Sequence, residues 1–600
     1  MTMKAKQLIT DNLLLVLGLM GIKAASARQL AGSGEPRDVE PAVQISEKSG
    51  NGDYYTNLPL KLSSILKKKP LDIAYEIKKE LEKSIKSTKS IRGTKGEELG
   101  SIIAKIDVVA PGFVNFFMSE QYLFKTIGYV NKKGVEFGNS ESLKDQKTMV
   151  EFTDPNPFKE FHIGHLYSNI VGESLSRLFE SQGANVMRVC YQGDVGQHVA
   201  KAIYGMQKLK NEMPEDSAPL SIRAQFMGKA YTYGATEFEK NDKTKQEINE
   251  LNKKIYDLPA GRQVQDDSVR EFYNKGKEWS LEYFNSLYKR LGTKFEHHYF
   301  ESEVGKIGVE LVREFLKKGV FEESDGAIIF PGEKYGLHNR VFINSLGLPT
   351  YEAKDMGLAG EKNKDFPYDR SIIITAQEQA EYFKVVLKAL EQIRPELAKK
   401  TTHISHGMVR LPSGKMSSRT GEVITGEWLM DEAVARIQKE YPEMDSETSE
   451  KVGLAAVKFA LLKASIGRDI EFNFDESIAL SGASGPYLQY TYVRTKSVLD
   501  KYKVSSIKYK VSNTENRLNS EEKEVLRQLV YFPETLQMAA EKMSPNLVAE
   551  YLFELSQKFN LFYQKHKISE NEFRLKLTES VGIVLKNGLH LLGIEQVEKM

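Results

Sequence analysis

The 600-residue chain has one cysteine, Cys190. A single thiol rules out an intramolecular disulfide and a thiolate zinc site, so a reducing compartment, the cytoplasm, is expected, with no zinc. Long apolar runs are missing too: none reaches the roughly 18 residues that a membrane-spanning helix needs, so no membrane association is expected. Net charge is almost absent, at +2 from 84 basic and 82 acidic residues, so affinity for nucleic acid would have to come from local patches. No Gly-x-x-x-x-Gly-Lys-Ser/Thr occurs, which excludes a P-loop. What is present is an ordinary globular composition, 40% hydrophobic and 28% charged, on a chain too long for one core. Three or four domains are expected.

The N-terminal stretch "MTMKAKQLITDNLLLVLGLMGIKAASA" has early lysines, an apolar run from Leu13 to Ile22 and a cleavage-like Ala25-Ser26-Ala27. The run is short and Asp11 interrupts its approach, so the reading is an amphipathic helix capped near Thr10 or Asp11 and ended around Gly21. Residues 28–50 and 257–268 lose periodicity and read as loops or insertions. "LDIAYEIKKELEKSIKS" reads as a helix and "AKIDVVAPGFVNFFMS" (104–119) as strand, turn, strand, which makes residues 1–140 a small α+β domain. From Thr148 the order is an apolar strand, a Pro-containing turn, a helix from about His162 to Gln182 with Gly183 past its end, and the strand "NVMRVCYQGD". That is the opening of a parallel, Rossmann-like α/β sheet, assigned here to residues 141–430 with a charged helical insertion at about 206–290. Strand-like runs return at "GAIIF", "RVFIN" and "SIIITA"; the last part, 431–600, patterns as all-helical.

Within that α/β region, "HIGH" places His162 and His165 one turn apart at a helix start. A metal pair would need further ligands, and the one other His-x-x-His, His403 with His406, has no cysteine or evident carboxylate beside it. A capped helix start with satisfied imidazoles is the plain structural reading. The third reading is phosphate chemistry: free N–H groups and the helix dipole favour an anion, and imidazoles donate to phosphate oxygens as charge builds during displacement. Gly164 leaves room for close approach. The segment "LPSGKMSSRTGEVIT" (411–425) is a basic, hydroxyl-rich loop that alone could be any surface loop.

Together, HIGH and this KMSKS-like loop resemble the two signatures of class I aminoacyl-tRNA synthetases. More narrowly, the chain is similar to arginyl-tRNA synthetases over nearly its whole length. "GDYYTNLPLKLS" (52–63) and "VVAPGFVNFFM" (108–118) resemble that family's N-terminal tRNA-contacting domain. "EFTDPNPFKEFHIGH", "GDVGQH" (193–198), "PTYEAKDMG" (349–357) and "GMVRLPSGKMSSRTGEV" resemble its catalytic domain. "GPYLQYTYVR" (485–494) and "RLKLTESVGIVLKNGLHLLGIEQVEKM" (574–600) resemble its helical anticodon-binding domain. The resemblance implies an arginine–tRNA ligase that uses ATP with Mg²⁺, L-arginine and tRNA(Arg), and is a monomer. It implies that His162, His165, Lys415 and Lys159 act in catalysis, and that Gly164, Met416, Ser417 and Ser418 join the histidines and Lys415 around ATP. It implies that Glu151, Tyr351 and Asp355 hold the guanidinium, Asn156 the amino-acid end, and Gln379 a further contact, with Gln377 a rival for that register. Tyr487, Tyr490 and Arg494 are candidate tRNA contacts, though tyrosines in a helix are commonly core.

A guanidinium offers five donors in a planar fork and is always charged, so its pocket needs carboxylates. The bland alternative is that Glu151 and Asp355 pair with nearby lysines. The chain departs from the family pattern at Ser418, where a second KMSKS lysine is expected, and the resemblance implies that Lys159 compensates. It departs again at Val195, where many relatives carry tryptophan, and this reads as a packing change. Other readings are a different class I synthetase, whose apolar pocket Glu151 and Asp355 would spoil, and a tRNA-binding relative without catalysis.

Overall fold

A computed structural model describes residues 5–22, 41–46, 49–86, 99–258, 267–411, 424–502, 518–569 and 571–600. The two aperiodic segments lie largely outside these residues. Two compact units emerge. One takes in the chain up to Gly138 with Thr491–Thr535 and Glu554–Asn587; the other takes in Asn139–Tyr490, Leu536–Phe553 and Gly588–Met600. Among the described residues no helix is long and apolar enough to cross a membrane.

The first unit holds a four-stranded antiparallel sheet whose two longest strands, Ile103–Val109 and Phe113–Met118, form the expected hairpin. Helix Ala5–Leu19 buries Ile9, Leu13, Val16 and Leu17. It begins before the expected cap, because Thr10 and Asp11 are engaged within the helix: the Thr10 hydroxyl donates to Lys6 O at 2.9 Å and Asp11 accepts from the Gln7 amide at 2.7 Å. C-terminal helix Ser520–Glu541 joins this unit through Arg527, which donates to the buried carboxylate of Asp53, and through Glu534, which accepts from the Tyr54 hydroxyl at 3.0 Å.

The second unit is built on five parallel strands: β1 (Lys147–Glu151), β2 (Asn185–Gln192), β3 (His297–Phe300), β4 (Arg370–Ala376) and β5 (Thr401–His406). Their spatial order is β5-β4-β1-β2-β3. Strands covered on both faces need continuous apolar runs, and Met149–Val150 and Ile372–Ile374 supply them. The connecting helices are α1 (Ile163–Ser181), α2 (Gln197–Lys208), α3 (Asp267–Leu291), α4 (Glu301–Lys317), α5 (Tyr351–Asp365), α6 (Ala380–Ile393) and α7 (Gly426–Glu440). Helix α1 ends where expected, with Gly183 at φ +91° beyond Gln182. The expected helical insertion has its own core, in which Phe226, Ile248 and Trp279 pack with Val195. "GAIIF" and "RVFIN" do form strands, Ala327–Phe330 and Arg340–Ile343, but in a separate antiparallel sheet with Glu322–Ser324.

The chain leaves β1 toward β2 on one side and later fills the other side with β4 and β5, so the sheet reverses direction between β1 and β4. The crevice at the carboxyl ends of these two strands is where such sheets bind ligands. Helices α4 and α5, which flank it, cross in backbone contact. A Cβ at Gly308 would lie 1.9 Å from Ala353 O, and one at Gly357 2.4 Å from Val304 O. Backbone cannot rotate out of the way, so Gly308→Ala should lower stability by roughly 1–3 kcal/mol or more. Gly128, in helix Glu120–Lys133, has nothing within 4 Å of its would-be Cβ, so Gly128→Ala should stabilise by up to about 1 kcal/mol. Thermal unfolding of the two variants checks this; shifts of the same sign would refute the packing argument.

Candidate functional site

The crevice is entered by a strained turn. After β1, Thr153, Asp154 and Phe158 have φ of +79°, +44° and +70°. A β-branched residue in the left-handed region is costly and persists only when its surroundings over-determine it. Here they do. Thr153 N donates to Ser168 Oγ at 3.0 Å, and that hydroxyl donates to Ile374 O at 2.9 Å. Asn169 Nδ2 donates to Thr153 Oγ1 at 2.9 Å, and Asn169 Oδ1 accepts from Thr293 Oγ1 at 2.7 Å. One buried network thus ties the turn to α1, β4 and the end of α3.

The turn delivers His162 to the N-cap of α1. His162 Nδ1 accepts from Gly164 N at 3.1 Å and His165 N at 3.4 Å, while His165 Nδ1 accepts from His162 N at 3.3 Å. This is a reciprocal capping box made of two imidazoles, stacked with ring centres 3.5 Å apart. With both Nδ1 atoms accepting, the neutral tautomer carries its proton on Nε2, so each ring presents an N–H donor. Burial first, and then the charge of Lys159, pushes His162 down to about 4; burial, then the neighbouring His162 and after it Lys159, pushes His165 well below its ordinary value. The pair is neutral at physiological pH.

The expectation of free helix N–H groups fails. Gly164 and His165 donate to His162, and Ile163 N donates to Ile424 O at 3.1 Å. An anion would therefore meet the two Nε2–H groups and the helix dipole, with the first amides already spent. The metal reading also loses its second pair: His403 and His406 lie three apart on β5, hence on opposite faces. Among the described residues no group of three His, Cys, Asp or Glu is arranged to hold a metal ion.

Lys415, Met416, Ser417 and Ser418 lie outside the described residues. Their flank does not: Thr425 bridges His162, and Gly426 N donates to Phe161 O at 2.8 Å. The chain thus re-enters α7 directly at the histidine turn. Lys159 is on the same side, its ammonium 4.8 Å from the Tyr231 ring centre and close enough to depress both histidines.

Three carboxylates gather beyond the turn. Glu151, at the end of β1, is 3% exposed, and its Oε2 is bound by Lys362 at 2.6 Å. The lysine-pairing alternative is therefore realised for Glu151 and not for Asp355. Asp355 Oδ2 accepts from the Tyr382 hydroxyl at 2.6 Å, and burial with the charges of Glu151, Glu301 and Glu352 pushes its carboxyl up to about 8. Asp154 Oδ1 accepts from Tyr191 N at 2.7 Å, and burial beside Glu151 pushes it well above the usual range. Lys362 is the one cation bonded to any of the three, and each keeps one oxygen without a hydrogen bond among the described residues. Nearby, Lys354–Glu301 (2.6 Å) and Arg340–Glu352 (3.1 Å) are balanced pairs.

The remaining expected residues are spread around this centre. Asn156 packs against Gly193, where a Cβ would meet its Oδ1 at 2.4 Å. Tyr351, 53% exposed, lines a cavity of about 450 Å³ with His198, Tyr231, Asn252, Tyr256 and Lys354. Gln379 is exposed just past β4, whereas its rival Gln377 donates to Asp469 at 3.3 Å. Tyr487 and Tyr490 are half-buried on helix Gly485–Tyr502. In the first unit, Arg494 on the same helix donates to Asn560 and lies 4.9 Å from the Tyr563 ring centre. Sequence reasoning missed Lys362 and Asp154. Lys362 was findable, because it stands seven residues after Asp355 and so on the same face of α5. Asp154 gave no signal, since a Thr-Asp-Pro run reads as turn chemistry.

Comparison with known proteins agrees with this geometry. A family model for class I tRNA synthetases (R), catalytic domain, matches residues 129–474; a DALR anticodon binding domain matches 488–600; an arginyl tRNA synthetase N-terminal domain matches 21–118. The arginine–tRNA ligase of Clostridium acetobutylicum is 30% identical over 93% of this chain and 96% of its own, and that of Flavobacterium psychrophilum 31% over 84% and 88%. The fold is shared with Thermus thermophilus arginyl-tRNA synthetase, with a TM-score of 0.76 at 22% identity over 99% of both chains. With a parallel sheet bearing a histidine capping box, a family model spanning more than half its length and curated relatives matched almost end to end, the chain belongs to the arginyl-tRNA synthetases, class I arginine–tRNA ligases that use ATP.

Proposed function

We propose how this chain's residues divide the two steps of arginine–tRNA ligation. In the first, the arginine carboxylate attacks the α-phosphate of ATP, giving arginyl-adenylate and pyrophosphate. In the second, a ribose hydroxyl of the 3′-terminal adenosine of tRNA(Arg) takes the arginyl group and AMP leaves. The Nε2–H groups of His162 and His165 donate to phosphate oxygens, with Gly164 leaving room for the nucleotide. Lys159 and Lys415 supply cations where charge grows, and Met416, Ser417 and Ser418 complete the nucleotide contacts. Mg²⁺ arrives with ATP, held by phosphates and water. No covalent nucleophile is required; positioning and preorganised donors carry the rate.

The observation that carries the arginine assignment is the excess of carboxylate over cation at the switch point, with Glu151 buried and Asp154 and Asp355 partly buried. Glu151 and Asp355 take the guanidinium, Tyr351 and Gln379 border it, and Asn156 holds the amino-acid end. Residues 1–140 and the helices of 431–600 share the tRNA, with Tyr487, Tyr490 and Arg494 as contacts, and residues 141–430 carry the chemistry. The enzyme acts as a cytoplasmic monomer. Charging unfractionated tRNA with each of the twenty amino acids tests the whole reading: arginine alone should be attached, and attachment of any other removes the roles given to Glu151 and Asp355.

Three further outcomes follow. His165→Ala should lower turnover by roughly 10²- to 10³-fold, as for loss of one transition-state donor, and a change of only a few-fold would dismiss the role. Lys159→Ala should slow adenylate formation as severely as Lys415→Ala; a mild effect would show that Lys159 does not replace the cation missing at Ser418. The third concerns pH. Asp355, raised to about 8, is largely protonated below that pH in the empty site and must ionise to bind a guanidinium. The KM for arginine should therefore fall as pH rises from about 6.5 to 8, by up to about tenfold per unit, and level off above. A pH-independent KM in wild type, or an unchanged slope in Asp355→Asn, would refute this.

A further inference from the structure

We propose that His406 is a positioning residue for adenylate formation: at the end of β5 it ties the head of α1 to the chain leaving the sheet, and so sets where the His162 and His165 donors meet phosphate; this rests on the phosphate reading of that pair. His406 is 2% exposed. Its Nδ1 donates to Gly407 O at 2.8 Å, and the main chain of Gly164, between the two histidines, is its other hydrogen-bonding partner. The ring lies against Tyr167 on α1, with centres 4.5 Å apart, and is close enough for its charge to bear on both His162 and His165.

Packing alone does not select histidine here. Tyr167 is fully buried and an apolar ring would cover it equally well, whereas a buried imidazole loses water from two polar nitrogens and is unfavourable unless they are bonded. Gly407 O accepts from no other group among the described residues, so His406 alone holds that carbonyl. The chain beyond it is fixed on its other side: a Cβ at Gly407 would lie 2.1 Å from Arg468 O, and Met408 N donates to Asp469 Oδ1 at 2.9 Å. The course of the chain leaving β5 is thus set, and His406 joins that course to the histidine turn. Donors stabilise a transition state only when held in place beforehand, so a strut on Gly164 bears on both imidazoles. His403, the other histidine of β5, is accounted for separately: it pairs with Thr375 Oγ1 at 2.8 Å and stacks on Phe383 with ring centres 4.1 Å apart, and neither contact is on α1.

The test uses the full-length enzyme, tRNA charging, and the variants His406→Met and His406→Gln, side chains of nearly the same shape of which only glutamine can donate. His406→Met should raise the KM for ATP about three- to tenfold, as for loss of one or two hydrogen bonds, with the KM for arginine within about twofold of wild type. His406→Gln should stay within about twofold of wild type for both. A wild-type ATP KM in His406→Met, equal rises in the two KM values, or an ATP KM in His406→Gln as high as in His406→Met overturns the proposal. Should His406→Met melt at a much lower temperature than wild type, His406→Phe, which keeps an aromatic ring against Tyr167, takes its place, and a wild-type ATP KM there overturns the proposal. Near-wild-type turnover in His165→Ala would instead remove the underlying reading. Strongly reduced turnover in His165→Ala, with a wild-type ATP KM in His406→Met, removes only this inference.

Discussion

Gathering more carboxylate than cation at the mouth of a parallel sheet, with Glu151 buried and Asp154 and Asp355 partly buried, is expensive, and the local structure around the site can be understood as managing that cost. An isolated buried carboxylate in low dielectric protonates or finds a partner. Here three solutions stand side by side: Glu151 has Lys362, Asp355 has a tyrosine hydroxyl and a raised carboxyl, and Asp154 has a single backbone amide. Among the described residues none of the three has a hydrogen bond on both oxygens. The surrounding pairs Lys354–Glu301 and Arg340–Glu352 each match one cation to one carboxylate. A cation entering that place recovers desolvation already incurred on folding, which is what preorganisation means in electrostatic terms.

The two halves of the crevice use opposite strategies. On the carboxylate side, charge is deliberately left unbalanced. On the histidine side it is suppressed, because burial and the neighbouring lysine keep both rings neutral. Neutral donors suit a polyphosphate already accompanied by cations: they respond to charge that develops without adding a fixed field that would hold the ground state as tightly. The capping box makes this possible. By spending Nδ1 of each ring on the helix start, it fixes which nitrogen carries the proton.

The fold was legible where periodicity and turn chemistry agreed. The β1–α1–β2 order, the stop at Gly183 and the 104–119 hairpin all follow from local patterns that tertiary packing had no reason to override. The start of the N-terminal helix was misplaced because Thr10 and Asp11 look like caps but bond within the helix. Strands in "GAIIF" and "RVFIN" were visible, yet their pairing was not, since short apolar runs do not reveal which sheet they join. At the site, motifs exposed the histidines and the carboxylates at 151 and 355. What they could not expose was charge balance, because Lys362 and Glu151 are 211 residues apart and meet only through the topology. The spent amide of Ile163 was equally invisible, since its partner Ile424 comes from the far end of the 411–425 segment.

A separate set of contacts explains why strain is tolerated at Thr153. The turn must do two things in eleven residues: end β1 with a buried carboxylate and place an imidazole at the head of α1. At this turn, where Thr153 and Asp154 both take positive φ, the Tyr191 amide is met by a side chain, Asp154 Oδ1, at 2.7 Å. The cost of roughly 1–3 kcal/mol for each such residue is offset by four buried hydrogen bonds through Ser168, Asn169 and Thr293. Those bonds reach α1, β4 and the end of α3, so the elements that frame the site also hold its least comfortable residue in place. Removing the strain would mean rebuilding the frame.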